Sequence, residues 1–359
     1  MRDSYSFLRL IVCYVLCVFF LFYSFFSTPT IKHKNKPTFT DIFQNTPQKE
    51  ENLAENTESL VENINKTPQE TTSQKVESVA STTSSKKETA TTSAAAVKGK
   101  ILTRYISPYS VKDSYSGVYL KNYTSVKVDL KELLNKKINF KINKNSEPQV
   151  LIMHTHTTET FMQKQADYYT EDDKSRTTDN SKNMVKIGEI IAKRLNDNGI
   201  KTLHDKTKHD YPEYTGSYGR SAKTVTEYLK KYPSIKVVLD LHRDSVSMGG
   251  NDKAKLVTEI NGKKAAQVML VMGSQSGSIK NHPNWKENLK LALKLQQTIE
   301  NKYPTLARPL LLMSKSYNQK LSTGSMLIEF GTEVNTLDEA CYSAELVGDA
   351  LVSMLKTIK

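Results

Sequence analysis

The chain has 359 residues, a formal charge of +13, 38% hydrophobic residues and a mean hydropathy of −0.51, which excludes a polytopic membrane protein and a mini-scaffold. Its three cysteines, Cys13, Cys17 and Cys341, cannot frame a disulfide-built domain, because the first two lie within one apolar run. The positive charge points to an anionic partner: nucleic acid, anionic lipid or an acidic wall polymer.

From Leu10 to Phe26 no residue is charged, and aromatic and β-branched side chains dominate. At about 1.5 Å per helical residue this run just crosses about 25 to 30 Å of hydrocarbon. No small-x-small cleavage site follows, so residues 1–30 read as a cytoplasmic stub and an uncleaved transmembrane anchor rather than a signal peptide. Arg2 and Arg9 before the run are balanced by Lys32, Lys34 and Lys36 after it, and the signal-anchor position is what favours an exported C-terminal part. Residues 31–100 read as a linker. Between Asp41 and Lys100, Ser, Thr, Asn, Gln, Glu and Lys predominate with Phe43 as the lone aromatic, so the segment cannot bury enough apolar surface to offset chain entropy. The first forty residues hold five basic side chains against one acidic, and residues 41–100 hold seven against nine, so +11 of the charge belongs to the remainder.

Residues 101–359 have globular composition. QVLIMHTH and IKVVLDLHRD read as buried parallel strands whose C-terminal ends carry polar side chains. Between them NMVKIGEIIAKRLNDNG places Met184, Ile187, Ile191 and Leu195 at helical spacing, with Gly199 as C-cap, and a second helix spans about Gly219 to Lys231. Asn261-Gly262 predicts a hairpin turn, WKENLKLALKLQQTIENKY a long amphipathic helix, GSMLIEFGTEVN a further buried strand and TLDEACYSAELVGDALVSMLKTI a closing helix. Val126 to Phe140 reads as an edge strand and helix or as an N-terminal extension. The alternation predicts a three-layer αβα domain around a mostly parallel sheet, preceded by the transmembrane helix and the disordered tether.

The chemistry concentrates where the first strand runs out, in His154-Thr155-His156-Thr157-Thr158-Glu159. A His-x-x-Glu at a strand end lets His156 and Glu159 converge on one ion, and His242, which also ends a buried strand, is the natural third ligand. Two His and one Glu leave a fourth tetrahedral position open, as in a catalytic zinc site. Glu329, a lone carboxylate after three apolar residues, is the candidate general base, since burying it without a partner is costly. Strand alternation puts His154 on the face of His156, as an alternative ligand or a supporting residue. His204, His209 and His282 read as hydrogen-bonded surface residues. Glu159 also reads as an exposed loop carboxylate, Arg243 as an ion-pair partner of Asp244 or a binder of a substrate carboxylate, and Arg220 in the same two ways.

Four stretches, QVLIMHTHTTETF, YGRSAK, VVLDLHRDS and MLIEFGTEVNTLDEA, resemble the stage II sporulation protein P family, and the resemblance runs from Ile101 to the end. It implies a domain similar to zinc N-acetylmuramoyl-L-alanine amidases, with amidase and endopeptidase activity on peptidoglycan, in septal-wall thinning and engulfment during sporulation. It also implies a single-pass membrane protein with an extracytoplasmic catalytic domain, and partners such as stage II sporulation proteins D and M. His156, Glu159 and His242 match metal positions and Glu329 the catalytic glutamate. The chain lacks the Asp-x-Gly-His-Gly loop usual in zinc amidases, and its His-x-x-Glu is closer to that of zinc carboxypeptidases. A non-catalytic wall-binding scaffold is the second reading. Nucleic acid is the least fitting partner, because an exported domain would not meet it and no helix carries a basic stripe with aromatics.

Overall fold

The computed structural model describes residues 95–143 and 147–358; the expected anchor and nearly all of the expected linker lie outside the described residues. Among the described residues no helix is long and apolar enough to cross a membrane. In chain order the elements are β1 (Val97–Arg104), β2 (Asp113–Tyr115), β3 (Val118–Asn122), α1 (Leu130–Asn135), β4 (Val150–Met153), β5 (Tyr168–Thr170) and α2 (Met184–Asp197). There follow β6 (Thr202–His204), α3 (Ser217–Lys231), β7 (Val237–Asp244), β8 (Lys253–Ile260), β9 (Lys263–Ala266) and β10 (Val268–Gly273). The chain closes with α4 (Trp285–Lys302), β11 (Leu310–Met313), β12 (Ser325–Thr332) and α5 (Leu337–Thr357).

Eight strands form the main sheet in the order β2-β3-β11-β10-β12-β7-β4-β6. The expectation of a mostly parallel sheet holds in a particular form. β12, β7, β4 and β6 run parallel to one another, β3, β11 and β10 form a second parallel group, and the two groups meet antiparallel at β10 and β12. The helices α2, α4 and α5 cover one face, where Ile152, Leu239, Leu241, Ile328 and Phe330 point into the largest apolar core. On the other face α3 packs over Leu151, Met153 and Val238, and Met269, Val271, Leu311 and Leu327 form a separate apolar floor beside Tyr317. The sandwich is therefore αβα, with a thin second helical layer.

Two departures from the expectations lie near the N-terminal side. β1 begins at Val97, so the boundary expected at residue 100 falls inside a strand. This strand lies between β5 and β8 in a second sheet, β5-β1-β8-β9, which the sequence pattern did not announce because β5 is three residues long. Val126 to Phe140 contributes only the short helix α1, capped by Asp129, while Val126, Val128, Ile138 and Phe140 pack against the main core. Asn261 and Gly262 take φ of 52° and 73°, the pair of left-handed conformations required by the tight turn joining β8 and β9.

Candidate active site

Alternation along β7 separates its side chains: Leu239 and Leu241 enter the helix-covered core, whereas Asp240 and His242 share the opposite face with Val238. β12 lies beside it in parallel, and its register sets Glu329 against His242 and Leu327 against Asp240. β4 ends at Met153, and the chain then turns instead of continuing extended. This corrects the placement of His154. It does not share a face with His156 but packs beneath α2, its Nδ1 3.0 Å from the Leu241 carbonyl and its Nε2 2.9 Å from His204 Nε2. Both ring nitrogens are committed, so neither is a free donor.

His156 emerges on the other side. Its ring stacks on Tyr214 at 4.7 Å, meets Tyr218 edge-on at 5.7 Å and stands perpendicular to His242 at 5.3 Å. Its Nδ1 is buried with no hydrogen-bond partner, and its Nε2 faces the Tyr214 hydroxyl at 3.3 Å. Burial, with the charges of His242 and Arg176 adding, holds this imidazole well below the usual histidine range, so it is neutral and able to donate a lone pair.

Glu159 is 5% exposed, which removes the reading of an exposed loop carboxylate. The Arg243 amide donates to its Oε2 at 3.1 Å, and the Arg176 and Arg243 guanidinium groups approach Oε1 at 3.7 and 3.9 Å. His242 Nδ1 lies 3.6 Å from Glu159 Oε2. Two donors on one tetrahedral zinc, each at about 2.0 to 2.1 Å, stand about 3.4 Å apart, so this gap suits a shared ion better than a direct hydrogen bond. Among the described residues no three His, Cys, Asp or Glu side chains are grouped so that they could hold a metal ion as placed. The donor types, this spacing and the orphaned His156 nitrogen fit zinc.

On the far side of His242, Asp240 Oδ1 lies 2.8 Å from Nε2, though off the axis of a ring N–H bond. Thr155 fixes that carboxylate through its amide at 2.8 Å and its hydroxyl at 2.7 Å. Burial alone would lower the His242 pKa, but Asp240, aided by Glu159 and Glu329, raises it to about 9. Asp240 was not singled out in the sequence, yet the signal was there: in Asp-Leu-His on a strand, both polar side chains face one way.

Glu329 carries an enclosed Oε2 with no hydrogen-bond partner, although the residue as a whole keeps some exposure. Burial pushes its carboxyl up to about 8; Asp244 and Glu159 add to the rise, and His242 and Arg308 oppose it. Asp244 pairs with the buried Arg308 at 2.9 Å and not with Arg243, which overturns the expected Arg243–Asp244 ion pair. Arg243 instead donates to the carbonyls of Thr160 and Ser175. Arg220 is similarly engaged, with Nε on the His209 carbonyl at 2.6 Å, Nη1 on Thr215 at 3.1 Å and Nη2 on Glu213, so it clasps the 209–215 loop. Arg176, which no sequence signal marked, links Glu159 to the buried Asp210 and lies over the Tyr214 ring.

The remaining described histidines are less exposed than expected. His209 is buried between the His154 carbonyl and the Thr224 hydroxyl, and His282 is fully buried, near the Gln319 main chain but without hydrogen-bond geometry. His204 is half-buried against His154.

The sequence pattern of the stage II sporulation protein P family matches residues 23–352. The chain belongs to that family. It is 28% identical over 216 residues to stage II sporulation protein P of Bacillus subtilis, covering 57% of this chain and 50% of that protein, so the chain spans about half the length of the curated relative. Solved structures similar to it include an N-acetylmuramoyl-L-alanine amidase of Nostoc punctiforme, at TM-score 0.34 and 10% identity over 58% of this chain and 96% of that one. An N-acetylmuramoyl-L-alanine amidase from Clostridium difficile matches at TM-score 0.34 and 14% identity over 59% and 97%. A Clostridioides difficile amidase solved with the GerS lipoprotein matches at TM-score 0.35 and 11% identity over 58% and 98%. These scores are too low to bear on function, and the family assignment rests on sequence.

Proposed function

We propose that this chain is a membrane-tethered peptidoglycan hydrolase of sporulation: a zinc-dependent N-acetylmuramoyl-L-alanine amidase, also acting as an endopeptidase, in septal thinning and engulfment. The observation that carries the reading is the gathering of His156, Glu159 and His242 beside a register-matched, enclosed Glu329. The family membership supports the cell-wall and sporulation setting. The anchor, the extracytoplasmic placement and partnership with stage II sporulation proteins D and M belong to the same proposal, and the +11 charge suits an anionic wall polymer.

His156 Nδ1, His242 Nδ1 and Glu159 would hold the ion. When bound, zinc supplies Lewis acidity, acidifying water and polarising an amide carbonyl. Glu329 accepts the proton of the attacking water on its carboxylate and passes it to the nitrogen of the departing amine. Asp240 holds the ring of His242 so that Nδ1 faces the cleft, and Arg243 and Arg176 restrain Glu159.

The test is metal content and stem-peptide release from purified peptidoglycan by the full-length chain, before and after chelation and with zinc restored. About one zinc per chain, with release that stops on chelation and returns with zinc, supports the amidase. No metal and no products, with or without the D protein added, would leave the wall-binding scaffold.

A further inference from the structure

Two tyrosines take no part in the steps above, Tyr218 beside His156 and Tyr317 beside Tyr218. Tyr218, in the first turn of α3, stands edge-on to His156. Tyr317, from the loop after β11, lies 6.4 Å from Tyr218 with the ring planes tilted by 48°. Both rings are half-buried. They come from segments a hundred residues apart, and the turn that presents Tyr317 is strained: Tyr317 and Asn318, neither of them glycine, have φ of 48° and 55°.

That turn is fastened to the candidate site. Asn318 Nδ2 donates to the Tyr218 carbonyl at 2.8 Å and to Ser221 Oγ at 3.0 Å. Ser221 Oγ meets the Thr155 hydroxyl at 2.9 Å, and Thr155 in turn binds Asp240, the neighbour of His242. Strain of this kind persists only where the surroundings over-determine it, and here they fix the angle between the two rings.

We infer that Tyr218 and Tyr317 form a saccharide subsite, against which the sugar adjoining the cleaved bond packs. The inference rests on the hydrolase reading and adds the recognised part of the substrate. A pyranose ring presents a face of C–H groups that packs on an aromatic face, while its rim of hydroxyls and acetamido groups seeks polar partners. Tilted, partly open tyrosines offer that combination.

The test is binding of an uncharged N-acetylglucosamine oligomer to the full-length chain in chelator, so that cleavage and the basic charge contribute nothing. Tyr317→Ala and Tyr218→Leu are each expected to weaken binding about tenfold, and Tyr317→Phe to bind like the parent; thermal melting checks the fold of each variant. Ring-less variants that bind like the parent, or a parent with no affinity for the oligomer, would overturn the inference. So would variants in which affinity for a free stem peptide falls instead. Ring-dependent binding in a chain that releases no stem peptide would uphold the subsite and remove the hydrolase reading.

Discussion

Glu329 on β12 and His242 on β7 are direct register partners in a parallel pair, so their side chains leave the same face of the sheet one strand apart. The candidate base and a candidate ligand are thus placed by main-chain pairing rather than by loops. Replacing Glu329 with Gln keeps the volume and removes the proton acceptor. Stem-peptide release is expected to fall at least about a hundredfold, with zinc content and melting temperature close to those of the parent. Full complementation of sporulation by this variant would exclude the catalytic role.

Asp240 lies behind His242 and is itself held by Thr155. Asp240→Asn retains the shape but withdraws the charge that orients the imidazole. Zinc affinity and turnover are each expected to drop about 10- to 100-fold, measured by competition with a chelating dye and by muropeptide release. Unchanged zinc affinity would mean that Asp240 has no hold on the ligand.

Gly188 marks where α2 meets the His154–His204 pair. A Cβ there would come within 2.6 Å of His204 Cε1 and 2.9 Å of His154 Nε2, closer than atoms pack. Ala would favour an open helix by up to about 1 kcal/mol, but crowding costs about 1–3 kcal/mol, and crowding wins because the site is buried. Gly188→Ala should lower the unfolding midpoint, and His204→Ala in the same chain should restore part of the loss. Additive effects in the double variant would show that the two residues do not meet.

Burial holds the His282 imidazole down to about 4, so it is neutral in the folded chain. The unfolded histidine has its ordinary value near 6.5 and takes up a proton first. The contribution of His282 to stability is therefore full above about pH 6.5 and declines as pH falls toward 4, by at most about 1.4 kcal/mol per pH unit. Urea midpoints measured between pH 7 and 4.5 should fall, and His282→Leu should make the fall shallower. Parallel slopes in the two chains would count against this residue.

β1 pairs with both β5 and β8. A fragment beginning at residue 95 should therefore unfold cooperatively, while one beginning at residue 105 leaves two strand edges open and should melt lower or aggregate. Equal melting temperatures for the two fragments would show the strand to be dispensable.

Much of the frame was legible in local patterns. The β-branched runs at Val150–Met153, Val237–Asp244 and Ser325–Thr332, and the 3.6-residue periodicity of α2, α4 and α5, are consequences of near neighbours in the chain. The candidate site was partly legible for the same reason, since polar side chains at the ends of apolar strands are costly to place without a task. Glu329 was picked out on that ground, His156 and Glu159 by their His-x-x-Glu spacing at a strand end, and His242 as the end of a second buried strand.

Other features depend on contacts across the fold and have no local signature. The end of β4 at Met153, which turns His154 away from His156, follows from where the chain meets β7 and His204. The pairing of Asp244 with Arg308 joins residues 64 apart in sequence, and the strained turn at Tyr317 is held by a hydrogen bond to Tyr218, 100 residues away. The sequence by itself determined the longer central strands and helices and the polar residues that stand at their ends, because those depend on periodicity and burial cost. Only the tertiary structure decided which of these residues face one another, because register and packing between distant segments set every distance in the site.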